Sequence, residues 1–446
     1  MAPAALGIVR LSGPAAWEIA CQLIANPPPK LTPRHAYLVT LVLDADDERQ
    51  RGGLAETALV TFFQAPETYT GADLVELSVH GNPLLVRAVV RACLEHGARP
   101  AEAGEFTYRA YLNGKLDLAQ AEGVQELITA GSLQALRLAQ SALAGVPSGV
   151  TRGWVERLTG LLAGIEVIHD YAADGLDASL DAAELTTPEQ LRAALTELGG
   201  ELEQALADSR RTAPLREGIT VAITGPPNVG KSTLFNALVG HERALTAAEP
   251  GTTRDYITER LETGGVHLTL VDTAGYRDTR DALEAAGVRR AGDWAKSADR
   301  VLWVNAADRP PVPVPAGLAA TEPLPVVTRC DLLPGWPTQM TGMPAGTIYV
   351  SGLTGKGVNE LHAALAALAG AIGLPELAAF SERQARRLAS AGAHLERAQL
   401  SLRQQLPLDA VAQDLYGARR DLHGIYEQVD HAQVVAQVFS RFCVGK

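Results

Sequence analysis

In the middle of the chain, Gly225-Pro226-Pro227-Asn228-Val229-Gly230-Lys231-Ser232 joins an apolar run, ITVAIT, to the helix-forming Thr233-Leu234-Phe235. Glycines in such a loop let backbone N–H groups and a helix N-terminus face phosphate oxygens. Lys231 then reaches the outer phosphates of a nucleoside triphosphate, and Ser232 offers its hydroxyl to Mg2+. Downstream, Leu268 to Val271 has the pattern of a buried strand and ends in Asp272-Thr273-Ala274-Gly275. There a carboxylate can hold Mg2+ through water, and the Gly275 N–H can approach a γ-phosphate. Between these two segments lies Ala247-Ala248-Glu249-Pro250-Gly251-Thr252-Thr253-Arg254-Asp255. Thr253 would complete the Mg2+ shell only while a γ-phosphate is present, which is the behaviour of a switch. Read alone, GTTRD is an ordinary turn ahead of a strand.

A base-recognition segment follows. Thr328-Arg329-Cys330-Asp331 closes the strand-like LPVVT, and Asp331 is placed to accept hydrogen bonds from guanine N1 and N2, groups that adenine does not present there. GTP is therefore expected over ATP, and no helicase or transporter motif set argues otherwise. Ser351-Gly352-Leu353 would be the loop over the base, although a Ser–Gly turn is common in any loop. Tyr276 follows DTAG where Ras-like GTPases carry a Gln that orients the attacking water, so that duty must fall to another residue.

These segments need a scaffold, and the chain is long enough for several. At 446 residues it exceeds what one core organises, so a multidomain protein is expected. A hydrophobic fraction of 47% with 20% charged residues lies in the globular range and excludes a disordered chain. Residues 1–117 mix strand-like runs (LGIVRL, YLVTLVL, ALVTFF, DLVELSVH) with the helical LLVRAVVRACLEHG, an α+β pattern. Residues 118–213 are Ala- and Leu-rich with helical spacing, as at Val124, Leu127, Ile128 and at Leu158, Leu161, Leu162, Ile165. In 214–371, strand-like ITVAIT, VHLTLVD, RVLWVN, LPVVTR and TIYVS alternate with helical segments, which predicts a parallel sheet wrapped by helices. Helical composition returns over 372–446, so the α/β unit is inserted into a helical domain.

A net charge of −12 argues against strong sequence-independent attraction to nucleic acid, so any RNA contact is expected to be local or partner-assisted. Cys21, Cys93, Cys330 and Cys443 lack the close pairing of zinc sites or disulfide frameworks and are expected to be reduced thiols. No apolar run reaches the roughly 18 residues of a membrane span, and no cleavable leader is legible, so the expected location is cytoplasmic.

The order GPPNVGKS, GTTRD, DTAG, TRCD and SGL, with YTGADLVELSVHGN (69–82), GEFTYRAYLNGKLDLAQAE (104–122) and the terminal FCVGK (442–446), resembles the MnmE (TrmE) family of tRNA modification GTPases over nearly the whole chain. The resemblance implies an α+β N-terminal domain that binds folate and forms a homodimer, an α-helical central domain and an inserted Ras-like α/β P-loop GTPase domain. It implies a potassium-dependent GTPase that works with the flavoprotein MnmG, which alone carries FAD. Together they would add a (carboxymethyl)aminomethyl group to carbon 5 of the wobble uridine, position 34, of certain tRNAs. A 5-formyl- or 5,10-methylene-tetrahydrofolate would supply the carbon, and the matching positions are Arg10, Glu76, Lys115 and Lys446. A pterin ring needs a carboxylate facing its 2-amino and ring N–H groups, and cations suit the glutamate tail. Without the resemblance each of the four reads as a surface charge or an interface ion pair.

The same resemblance makes Cys443 a functional thiol near the folate, where on its own it reads as a small apolar residue closing a helix. It makes Glu284 the group that orients the attacking water, where on its own it is a helix-surface glutamate. It replaces an arginine finger by K+, held by Asn228 and by Ala247, Glu249 and Thr252 in a loop ordered when two GTPase domains meet face to face. The family's base motif is Asn-Lys-x-Asp, so Thr328 here lacks an amide for the guanine edge, Arg329 can lie along the base, and Asp331 keeps the discrimination against adenine. The family also has a short segment and strand ahead of GIVRLSG, so Met1 is read as a truncated or misassigned start, and DYAADGLDASL departs from the family's acidic phrase. The competing reading is a GTPase switch in ribosome assembly or scaffolding without modification chemistry.

Overall fold

The computed structural model describes residues 3–28, 32–43, 54–173, 187–240, 257–263, 266–272, 298–319, 321–333, 342–370, 378–427 and 439. Within these, 169–173, 257, 258, 260, 262, 272 and 368–370 are described by backbone alone. Strands β1 (Leu6–Ser12), β2 (Ala36–Val42), β3 (Ala55–Phe63) and β4 (Leu74–His80) come early, with helices α1 (Ala16–Leu23), α2 (Pro83–Glu95) and α3 (Glu105–Leu112). Helices α4 (Leu118–Thr129), α5 (Leu133–Leu143), α6 (Val146–Ala173) and α7 (Pro188–Glu217) follow. Then come β5 (Ile219–Thr224), α8 (Lys231–Gly240), β6 (Ile257–Thr263), β7 (Val266–Asp272), β8 (Arg300–Ala306), α9 (Ala316–Ala319), β9 (Leu324–Thr328), β10 (Ile348–Tyr349) and α10 (Val358–Gly370). Helices α11 (Glu382–Arg403) and α12 (Leu408–Tyr426) return to all-helical structure. The chain divides into two compact units, Met1–Gln125 with Ala142–Ala193 and Ala393–Lys446, and Glu126–Ser141 with Ala194–Gly392. Among the described residues no helix is long and apolar enough to cross a membrane.

In the first unit an antiparallel sheet runs in the order β1-β4-β3-β2. Strict alternation decides its faces. Val9, Leu11, Leu41, Val60, Leu77 and Val79 point to a core shared with Ile19 and Leu23 of α1 and Val89 of α2. Helix α2 starts where it does because the Asn82 side chain accepts from Leu84 N–H at 2.8 Å and Pro83 occupies the first turn, where its missing N–H leaves nothing unsatisfied. The helical periodicity of 118–173 buries Val124, Leu158, Leu162 and Ile165, whereas Ile128, expected on the same face, is 38% exposed.

In the second unit six strands run β10-β9-β8-β5-β7-β6. Strands β5, β7, β8, β9 and β10 are parallel, and their near-continuous apolar runs follow from burial on both faces: Val221, Ile223, Leu270, Leu302, Val304 and Val326 are all fully buried. The expectation of a parallel sheet needs a correction, because β6 pairs antiparallel with β7, Thr263 meeting Val266 across two glycines. β6 reads ITERLET, and its interspersed Glu259, Arg260 and Glu262 hide the strand in a search for apolar runs. An edge strand tolerates such charges and benefits from them. Strand β5 lies between β7 and β8, so the chain turns to opposite sides of it, and the crevice at its carboxyl end is where open α/β sheets bind ligands.

Candidate nucleotide site

The loop at that carboxyl end is pressed against β8. A Cβ on Gly225, whose φ is +151°, would lie 2.2 Å from the carbonyl oxygen of Val304, so only glycine fits where the loop leaves β5. Asn228 adopts the left-handed region at φ 59°, a conformation Asn tolerates better than most residues. Helix α8 then begins at Lys231, with Leu234 N–H donating to Gly230 O at 2.9 Å. The Lys231 side chain is buried, and its Nζ donates to the carbonyls of Gly225 at 3.0 Å and Pro226 at 2.7 Å, which holds the ammonium across the mouth of the loop. Ser232 and Thr233 are exposed at the helix head, and the Ser232 hydroxyl is the kind of hard oxygen donor that Mg2+ takes.

Two further loops converge there. Thr328 ends β9 buried at 3% exposure, its hydroxyl set against the carbonyls of Val229 and, at 3.0 Å, Asn305. It therefore braces the phosphate loop from behind. Arg329, left-handed at φ 57°, donates from Nη1 to Asp308 Oδ2 at 2.6 Å and from Nη2 to the Asn228 carbonyl at 2.7 Å. Both ends of its fork are thus engaged by protein groups, in the plane of the guanidinium. Cys330 is fully buried, and burial, then the neighbouring Asp331 charge, pushes its thiol pKa up, so it is inert packing. Asp331 is exposed on a short 3-10 turn, Cys330–Leu332. A Cβ on Gly352 would come within 3.0 Å of Thr233 O, which sets Ser351–Leu353 directly beside the head of α8.

Asn228 to Thr233, Thr328 to Asp331 and Ser351 to Leu353 are thus brought to one end of the sheet. Asp272 ends β7 beside β5, opposite Ile223, and is described by backbone alone. Ala247, Ala248, Glu249, Pro250, Gly251, Thr252, Thr253, Thr273, Ala274, Gly275, Glu284, Cys443 and Lys446 lie outside the described residues. Sequence reasoning missed Asp308 and Asn305. Asn305 exchanges hydrogen bonds with the Val312 backbone, 2.9 Å to its N–H and 3.3 Å to its carbonyl, and so folds back the loop that carries Asp308. The available signal was position, since both lie at the carboxyl end of a strand adjoining β5.

In the first unit, Arg10 and Glu76 are opposed on β1 and β4 and pair at 2.7 Å, on the sheet face away from α1 and α2. The YTGAD and EFTYRAYLNG segments meet beside them. Ser12 and Thr70 hydroxyls are 2.8 Å apart, Tyr69 and Thr107 hydroxyls 2.8 Å apart, and Asn113 Nδ2 donates to Thr70 O at 2.6 Å. Burial raises the Tyr69 pKa, opposed by its bond to Thr107 and by the charge of Arg10. Lys115 is exposed after α3, its N–H donating to Ala110 O at 2.8 Å. Glu105, almost buried, is held by Arg99 and Arg109, and Arg109 Nη1 also donates to Ser12 O at 3.1 Å.

A mostly parallel sheet whose central strand delivers a glycine loop, a buried lysine and a serine to a helix head, with the Thr328–Asp331 turn braced behind it, is a P-loop GTPase domain. Two sequence profiles match the chain, one described as GTP-binding protein TrmE N-terminus over residues 1–115 and one as MnmE helical domain over residues 118–443. Proteins named tRNA modification GTPase MnmE are similar over the full length: one from Thermus thermophilus is 40% identical over 444 residues, covering 99% of this chain and 96% of its own. Those of Xanthomonas oryzae pv. oryzae and Azorhizobium caulinodans are 39% and 40% identical, covering 99% and 100% of this chain and 96% of their own. The chain belongs to the MnmE family of tRNA modification GTPases.

Proposed function

We propose that this protein is a K+-dependent GTPase that acts with an MnmG-type flavoprotein to place a (carboxymethyl)aminomethyl group on carbon 5 of wobble uridine 34 in certain tRNAs. The observation that carries the nucleotide part is the convergence of the phosphate loop, the Thr328–Asp331 turn and the Ser351–Leu353 loop at the carboxyl end of β5. Backbone N–H groups of the loop and the α8 N-terminus receive the phosphates, and Lys231, already inside the loop, neutralises charge on the outer ones. Ser232 and Thr253 hold Mg2+, which supplies electrostatic stabilisation of the transferring phosphoryl group. Glu284 orients the attacking water. Asn228, Ala247, Glu249 and Thr252 hold K+ where other GTPases use an arginine finger. Asp331 reads guanine.

The remaining assignments rest on the family. Residues 1–117 form a tetrahydrofolate and dimerisation domain, 118–213 and 372–446 a helical domain, and 214–371 the GTPase domain, in a cytoplasmic protein. Arg10, Glu76, Lys115 and Lys446 bind the folate, and Cys443 acts beside it. The Arg10–Glu76 pair suits that role, because its side chains are 32% and 26% exposed and open to a ligand. A homodimer is supported by the uncovered face of the same sheet. Ile8, Ser78, Leu59 and Leu38 form one row across four strands, and its three apolar members are 54%, 48% and 74% exposed.

Steady-state GTP hydrolysis by the purified chain, in KCl and then NaCl with Glu284→Ala alongside, tests the proposal. Turnover that needs K+ and collapses in the variant supports it. Equal rates in both salts, or full activity without Glu284, leaves only a generic GTPase.

A further inference from the structure

The phosphate loop is gripped from outside by three side chains that act on three successive carbonyls. Arg309 Nη1 approaches Pro227 O at 3.4 Å, Arg329 Nη2 donates to Asn228 O at 2.7 Å, and the Thr328 hydroxyl meets Val229 O. The middle contact differs in kind from its neighbours. Arg309 reaches its carbonyl at the limit of hydrogen-bond length, and Thr328 is a short neutral hydroxyl, whereas Arg329 brings a charged fork whose second prong is fixed by Asp308 Oδ2 at 2.6 Å. Arg329 and Asn228 are also both left-handed, at φ 57° and 59°. Two non-glycine residues in that sparsely populated region persist only where surrounding contacts over-determine them, and such strain gathers at ligand clamps.

We propose that Asp308 is a positioning residue for nucleotide binding. By fixing the Arg329 fork it clamps the Asn228 carbonyl and holds the phosphate loop in its phosphate-receiving shape. A planar guanidinium spans a carboxylate and a carbonyl at once, which the single nitrogen of a lysine does less well, so an arginine at this place has a use that a contact with the base alone would not require. The clamp acts on the loop, which receives the phosphates common to GTP, GDP and ATP. It therefore governs affinity for all three alike, and the choice of guanine stays with Asp331. This inference rests on the assignment of the loop and the Thr328–Asp331 turn to a guanine nucleotide.

The experiment uses the full chain and measures Kd for GDP, GTP and ATP, with kcat and KM for GTP, in Asp308→Ala, Asp308→Glu, Arg329→Ala, Asp308→Ala/Arg329→Ala, Asp331→Asn and Lys231→Ala. Because the Asp308–Arg329 pair is about one-third exposed on each side, the expected loss in Asp308→Ala is modest, about fivefold in Kd for GDP and GTP. KM should rise with it while kcat at saturation and the GTP/ATP preference hold. The double variant should bind no more weakly than Arg329→Ala, and Asp308→Glu should regain most of the loss. Wild-type affinity in Asp308→Ala, additive losses in the double variant, or a shift in GTP/ATP preference from Asp308→Ala overturns the clamp while leaving the site assignment intact. Unimpaired binding in Lys231→Ala and an unchanged GTP/ATP preference in Asp331→Asn would instead overturn the site assignment, and the clamp with it.

Discussion

Arg10 and Glu76 stand directly opposite each other on β1 and β4, and Nε of Arg10 donates to Oε1 of Glu76 at 2.7 Å although 66 residues separate them. The pair lies on the open face of the sheet, and a partly exposed ion pair of this kind adds little stability. Its removal should therefore act on ligand binding far more than on folding. Glu76→Gln keeps the shape and loses the charge that a pterin 2-amino and ring N–H edge requires. Isothermal titration with 5-formyl-tetrahydrofolate should show at least a tenfold loss in affinity for Glu76→Gln, with thermal unfolding nearly unchanged. Undiminished binding would overturn the assignment of Glu76 to folate binding.

One register step along the same face lies the apolar row of Ile8, Leu59 and Leu38. Burying such a row against a second copy would take the remaining exposed half to three-quarters of three large apolar side chains out of water, worth roughly 1–2 kcal/mol each. Placing like charges there should abolish self-association. In sedimentation equilibrium the wild type is expected to be a dimer, and Leu38→Glu with Leu59→Glu a monomer at the same concentration. A double variant that still sediments as a dimer would send the dimer contact to another surface.

The sequence made some of this architecture plain and hid the rest for physical reasons. Phosphate binding demands particular residue types at fixed local spacing, so Gly225 to Ser232 could be read before any fold was known, and the buried parallel strands announced themselves as apolar runs. Asp308 could not be read this way. Its partner Arg329 is 21 residues away on another loop, and no local pattern links a carboxylate to a guanidinium across two strand ends. Thr328 looked like the loss of a base contact, and only tertiary packing reveals its hydroxyl against the loop carbonyls. β6 escaped because its charges suit an edge strand, a property that depends on its place in the sheet.

Glu105 gives the clearest dependence on pH. Its carboxyl, ordinarily near 4.5, is held down to about 2, first by the hydrogen bond from Arg99, against the opposing effect of burial, and then by the Glu102 N–H and by Arg109. A depressed folded-state pKa means that the unfolded chain takes up the proton more readily. The stabilisation is therefore fully present above about pH 4.5 and is lost as the pH falls toward 2. Allowing for solvent at the Arg99 end, it is on the order of 2 kcal/mol at neutral pH. Glu105→Gln should lower one calorimetric transition of the full chain by about 5 °C at pH 7, and by less than half as much at pH 3. Because Arg109 also holds Ser12 O at the end of β1, the affected transition should be the one that carries β1 and α3. Equal shifts at the two pH values would mean that Glu105 stabilises the fold by packing rather than by its charge.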